Sequence, residues 1–180
     1  MRKEIFKEVQ VPEGVEITVN GKTVTVKGKE GELTRRFEAK NVSFKKEGKN
    51  MKIGHERATK KEKKLINTVA AHVKNMVRGV QRKFEYKLKV CSSHFPITVE
   101  IQKGKVTVKN FLGEKIPRVS KLPKDAEVEV KGDVIIVKAL DVEVAGQASA
   151  DLERVTNIIN RDRRVFQDGI FITEKDGVKT

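Results

Sequence analysis

Apolar and polar residues alternate along much of the chain, and that two-residue period predicts strands. Val15, Ile17 and Val19 point one way between polar neighbours, and Val24 and Val26 repeat the pattern after Asn20-Gly21. Asn-Gly between two such runs predicts a hairpin, because both turn residues tolerate positive φ. A second hairpin is expected from Val42–Lys46 and Met51–Ile53 around Gly48. The period then lengthens. Thr59-Lys60-Lys61-Glu62 has capping-box spacing, and Leu65, Val69, Val73 and Met76 recur every three or four residues, as on one face of a helix.

The same succession occurs twice. Val99 and Ile101, a turn at Lys103-Gly104, then Val106 and Val108 predict a hairpin. Val128–Lys131 and Val134–Val137 around Gly132-Asp133 predict another, and Asp141 is a candidate N-cap. Ala148, Leu152, Val155 and Ile159 form the second helical stripe, and Phe166–Thr173 is expected to be a closing strand, the counterpart of Phe84–Val90. A shift of 82 places Val24-Thr25-Val26-Lys27 on Val106-Thr107-Val108-Lys109, Gly31-Glu32 on Gly113-Glu114, and Val73-Lys74-Asn75-Met76 on Val155-Thr156-Asn157-Ile158. Val15-Glu16-Ile17 meets Val99-Glu100-Ile101 only at a shift of 84, which predicts a first hairpin loop two residues longer than the second. A period this long exceeds the roughly 20–50 residues of solenoids and propellers and indicates a duplicated domain. The expected architecture is α+β, a tandem duplication of a small domain with one helix packed on a mostly antiparallel sheet. The boundary falls between 1–82 and 83–180.

Charge adds a partner class. The 180 residues carry a formal net charge of +14, which favours a polyanionic partner, with nucleic acid first. The excess is uneven. Residues 1–82 hold 21 Lys+Arg against 10 Asp+Glu, and residues 83–180 hold 18 against 15. One cysteine excludes a disulfide framework and suits a reducing compartment. No run approaches the roughly 18 apolar residues of a membrane span. The first thirty residues lack an apolar targeting core, so a cytoplasmic protein without membrane association is expected.

Catalytic and metal-binding patterns fail on inspection. Gly21-Lys22-Thr23 resembles the tail of a phosphate-binding loop, but Glu16 stands where that motif needs glycine, and a strand follows instead of a helix. Cys91 and His94 supply two of the four ligands a structural zinc requires, with His55 and His72 far away. Cys91 therefore reads as a half-buried strand residue and His94 as a loop residue. Glu127, Glu129, Asp141 and Glu143 alternate with apolar residues as on a solvated face. No base stands at a recognisable spacing from a nucleophile, so no enzyme, cofactor, metal or small-molecule substrate is expected.

Three basic sets could meet phosphates. Arg57, Lys60, Lys61, Lys63 and Lys64 surround the first helix start, where cations oppose the helix dipole at roughly 0.3–1 kcal/mol each. Arg161, Arg163 and Arg164 follow the second helix; their planar donors suit phosphate, although cations also cap a helix C-terminus without any ligand. Lys103, Lys105 and Lys109 lie on the third hairpin, with Arg118 and Lys121 beyond it. The few aromatic residues occupy apolar strand positions and offer no exposed platform for unpaired bases, so recognition by shape and backbone is expected.

Val11-Pro12-Glu13-Gly14-Val15-Glu16-Ile17, Val24-Thr25-Val26-Lys27-Gly28 and Gly31-Glu32-Leu33-Thr34-Arg35 resemble the N-terminal half of the large-subunit ribosomal protein six family, called L-six in bacteria and L-nine in eukaryotes. Arg163-Arg164-Val165-Phe166-Gln167-Asp168-Gly169-Ile170-Phe171 resembles the archaeal and eukaryotic form of its C-terminal word. The resemblance runs from about Ile5 to Lys175. It implies two copies of a small α+β domain and a structural role, binding large-subunit rRNA near the sarcin–ricin loop and stalk base beside neighbouring ribosomal proteins. It also implies that RNA is held mainly by the C-terminal copy, which carries Arg163, Arg164, Gln167 and Gly169 into the expected site, with Lys175 just beyond. Bacterial members end in a different lysine- and glycine-rich tail, from which this chain departs after Arg164. The charge split runs the other way, toward the N-terminal copy, where Arg57–Lys64 would add RNA contact. The alternative is a protein-interaction module that docks acidic partners.

Overall fold

The computed structural model describes residues 3–39, 41–47, 50–102 and 104–180. They form two compact units, Met1–Lys83 and Phe84–Thr180. The first contains β1 (Lys3–Gln10), β2 (Glu16–Asn20), β3 (Thr23–Lys27), β4 (Glu32–Arg36), β5 (Ser43–Glu47), β6 (Asn50–Ala58) and α1 (Lys60–Gln81). The second contains β7 (Phe84–Cys91), β8 (Thr98–Gln102), β9 (Lys105–Lys109), β10 (Arg118–Lys121), β11 (Glu127–Lys131), β12 (Val134–Ala139), α2 (Val142–Val155), β13 (Gly169–Lys175) and β14 (Val178–Lys179). Each unit is an α+β domain with two antiparallel sheets, β2-β3-β4 and β1-β6-β5 in the first and β8-β9-β10 and β11-β12-β7-β13-β14 in the second.

The strand registers correct the alignment of the two copies. Asn20 pairs with Thr23, so the first hairpin turns at Gly21-Lys22, where Gly21 takes φ +62, and Asn20 stays in the strand. Gln102 pairs with Lys105 in the same way. Both loops therefore hold two residues, and Ile17 rather than Val15 is the counterpart of Val99. The extra length lies later: Lys27 pairs with Glu32, whereas Lys109 and Arg118 are separated by a 3-10 turn at Phe111–Gly113. Gly113-Glu114 thus occupies a loop, whereas Glu32 lies in a strand. The turn centred on Gly48 and the turn residue Lys103 lie outside the described residues.

Both N-caps are formed. Thr59 N–H donates 2.9 Å to Glu62 Oε2 and the Thr59 side chain accepts from the Glu62 backbone, the two bonds of a capping box, while Lys61 N–H also donates 3.3 Å to Thr59 Oγ1. Hydrogen bonds from the Thr59 side chain, then its backbone, hold the Glu62 carboxyl below its ordinary value. Asp141 Oδ1 accepts from Glu143 N–H at 2.9 Å. The inward stripe of α1 is Ile66, Val69, Ala70, Val73, Met76, Val77 and Val80; Leu65 is one residue off it and is exposed. From Val69 onward this stripe packs on Val24, Val26, Met51 and Ile53. In the second unit Ala148 and Leu152 pack on Leu88, Val106, Val108, Ile135, Val137 and Ile170. The second stripe stops at Val155, where α2 ends, and Ile159 is exposed.

The closing strand also begins later than expected, at Gly169, which leaves Phe166–Asp168 in a loop. Its partner β7 is the central strand of the five-stranded sheet, flanked by β12 and β13. A long irregular stretch, residues 157–168, therefore connects α2 to β13.

Candidate nucleic-acid interface

This connection is held at its base by Asp168. Its carboxylate is buried and accepts from Ser93 N–H, from Ser93 Oγ–H at 3.2 Å, from His94 N–H at 3.1 Å and from His94 Nδ1 at 2.5 Å. Burial alone would push the carboxyl up. The His94 ring and the two backbone amides outweigh it and hold the carboxyl at about 2. One ionised side chain thereby ties the β7–β8 loop to the start of β13.

Phe166 stands on this anchor. The His94 ring stacks on it with centroids 5.0 Å apart, and the Arg161 guanidinium lies 4.8 Å from its centroid. A guanidinium against an aromatic ring keeps its charge while losing conformational freedom. Arg163, Arg164 and Gln167 are exposed around it. Arg164 Nη2 donates 2.9 Å to Asp162 Oδ2, while Arg164 N–H bonds Oδ1, so part of its charge is spent locally. Those bonds hold the Asp162 carboxyl below its ordinary value. Gln167 Nε2 donates 3.2 Å to the Arg164 carbonyl.

The arginines do not cap α2, which ends at Val155. Arg118 does. Its Nη1 donates to the carbonyls of Val155 at 3.0 Å and Asn157 at 2.8 Å, and its Nε and Nη2 reach Glu114 at 2.7 and 2.5 Å. It also lies 4.4 Å over the Phe111 ring. Its donors are thus committed within the unit, and they satisfy carbonyls a helix end leaves open. Gly169 is likewise a backbone residue, because it is buried and a Cβ there would sit 3.2 Å from the Phe171 ring.

The other expected residues are more scattered. Lys105 and Lys121 are exposed and stand directly opposite in the β9–β10 register. Facing like charges on adjacent strands destabilise the pair until an anion intervenes. Lys109 pairs with Glu100 at 2.6 Å. Lys175 is exposed at the far end of β13, about 20 Å along the strand from Gly169. In the first unit Arg57, Lys60, Lys61, Lys63 and Lys64 are all exposed where β6 gives way to α1.

A cavity of about 880 Å³ opens beside the Asp168 anchor. It is walled by Phe166 and Phe171 and rimmed by Lys89, Arg154, Asn157 and Arg163. Nothing in local periodicity marks Lys89, Arg154 or Asn157 as site residues; the sequence identifies His94 only as a loop residue, and Asp168 only as part of the 163–171 word. Phe166 lies in the loop before β13 rather than on the expected strand.

A family model described as ribosomal protein L6 matches residues 11–83 and again residues 95–169, once in each unit. The chain belongs to the ribosomal protein L6 family. Among its relatives, "Large ribosomal subunit protein uL6" of Methanothrix thermoacetophila is 40% identical over 175 residues, 97% of this chain and 99% of that protein. The proteins of the same name from Methanobrevibacter smithii and Desulfurococcus amylolyticus are 43% and 44% identical, over 96% and 95% of this chain and 97% and 95% of their own lengths. All three are archaeal, in keeping with the archaeal form of the 163–171 word. The L6 family is structural, not enzymatic, and the double match bears out the duplication in this chain. No helix among the described residues is long and apolar enough to cross a membrane.

Proposed function

We propose that this chain is a structural constituent of the cytoplasmic large ribosomal subunit and binds large-subunit rRNA near the sarcin–ricin loop and stalk base. The observation that carries the reading is the 157–168 connection, which presents Arg161 and Arg163 from a loop anchored by a buried carboxylate. Preordered guanidinium groups lose little entropy on meeting phosphate. Arg164, Gln167, Lys105, Lys121, Lys109 and Lys175 extend the contact surface, with Lys103 beside them in sequence. Arg118 and Gly169 support it from within. In the first unit Arg57 and the α1 lysines add a second contact, supported by the exposed cations at a helix start where only Glu62 is acidic. Neighbouring ribosomal proteins complete the surroundings.

Affinity for rRNA fragments should fall steeply with salt, since each phosphate contact steepens log K against log salt by about 0.9 on B-DNA. Replacing Arg161, Arg163 and Arg164 together with Ala should flatten that slope by about one unit per lost contact and leave the thermal unfolding of the chain unchanged. A flat salt profile in the wild type, with complexes surviving high salt, would instead favour docking of acidic proteins.

A further inference from the structure

The cavity of the second unit is unused by a purely backbone contact. Its volume of about 880 Å³ lies in the range of small-ligand sites, roughly 300–1,000 Å³. Phe166 and Phe171 supply apolar wall. The rim chemistry is asymmetric. Of its three lining carboxylates, Asp168 is engaged by the Ser93 and His94 groups and Glu153 by the Ile172 amide at 3.2 Å, while Asp133 is exposed and has no side-chain partner among the described residues. The cations Lys89, Arg154 and Arg163 and the Asn157 side-chain amide have no side-chain partner among the described residues. Three uncommitted cations against one uncommitted carboxylate, around an aromatic-walled hollow with an open amide, suit a flat heterocycle flanked by phosphates.

We infer that this cavity receives a single unpaired nucleotide extruded from the RNA. The base enters against Phe166 and Phe171 and meets Asn157 on its edge, while the flanking phosphates rest on Lys89, Arg154 and Arg163. Unstacked bases on aromatic side chains are the common route to sequence readout in RNA. The His94–Asp168 bond fixes Phe166, so the wall is formed before the base arrives. The inference rests on the rRNA-binding reading and adds to it: recognition of one base, through Phe166, Phe171 and Asn157, with Arg163 shared between the cavity and the arginine cluster.

The test uses the full chain and deproteinised large-subunit rRNA from the same organism, probed with hydroxyl radicals for the backbone and with dimethyl sulfate and carbodiimide for base edges. Wild type should protect the base edge of one unpaired nucleotide. Ser92, in the β7–β8 loop, also lines the cavity, so Asn157→Trp and Ser92→Trp fill it from two separate segments of the chain. Either should abolish that base protection, keep the surrounding backbone footprint and weaken binding by roughly fivefold to a hundredfold, the span for losing one base–aromatic stack. Lys89→Ala should weaken binding and reduce the salt slope by about one. A backbone footprint with no unpaired base protected, or a base protection untouched by both tryptophan variants, overturns the inference and leaves the rRNA-binding reading standing. No footprint at all overturns both.

Discussion

At the scale of single residues, Asp168 does the most to shape the site. It is buried and charged, which is costly unless every lone pair is met, and four donors from Ser93 and His94 meet them. Asparagine there keeps the size but turns an N–H₂ toward amide donors. Asp168→Asn should cost about 1–3 kcal/mol of second-unit stability, read from urea unfolding. The pH dependence follows from the sign of the shift. The carboxyl ordinarily titrates at 3.8 and here at about 2, so its contribution is complete above about pH 5 and is lost as pH falls through about 2. The stability gap between wild type and variant should close across that window; a gap that persists at pH 2 would show that the ionised form is not what matters.

At the scale of elements, the end of α2 separates structure from recognition. Five basic residues stand near it, Arg154 in its last turn among them, and charge alone does not say which one caps it. Arg118, from β10, reaches the terminal carbonyls, while Arg161, Arg163 and Arg164 continue past them. Arg118→Ala should therefore lower second-unit stability by about 1–3 kcal/mol in thermal or urea unfolding, while the salt slope of rRNA binding stays unchanged. A slope reduced by one unit with stability intact would reassign Arg118 to the RNA. Elements were legible wherever local periodicity carried them. Thr59 and Asp141 cap their helices, and the Gly132-Asp133 hairpin forms at its expected residues. Leu65, Ile159 and Phe166 went astray because a stripe or strand can be extended past its end by one apolar residue of the right spacing. Burial shows that Ile66 replaces Leu65, and the end of α2 at Val155 and the start of β13 at Gly169 leave Ile159 and Phe166 in a loop.

At the scale of the whole molecule, the duplication and the charge split pull apart. The first copy is the more basic, yet the arginine loop and the aromatic-walled cavity belong to the second. The two copies also finish differently. In the second, β13 and β14 extend the sheet beyond β7, whereas β1 stands at the edge of the corresponding sheet in the first. Every buried hydrophobic cluster falls within one unit. Residues 1–83 and 84–180 produced separately should therefore each show a cooperative thermal transition, and their summed circular dichroism should reproduce that of the intact chain. A half that stays unfolded alone would show that its core depends on the other.

The sequence by itself determined the strand and helix periods, both N-caps, the repeated order of elements and the sign of the partner's charge, because each is written in residues a few positions apart or in a sum over all of them. Tertiary structure decided which basic residues are committed and which are free. His94 and Asp168 are 74 positions apart, and Arg118 is 39 from the Asn157 carbonyl it holds. The loops that bring such pairs together have no period to read. A polar side chain's partner is set by whatever the packed core places within about 3 Å of it.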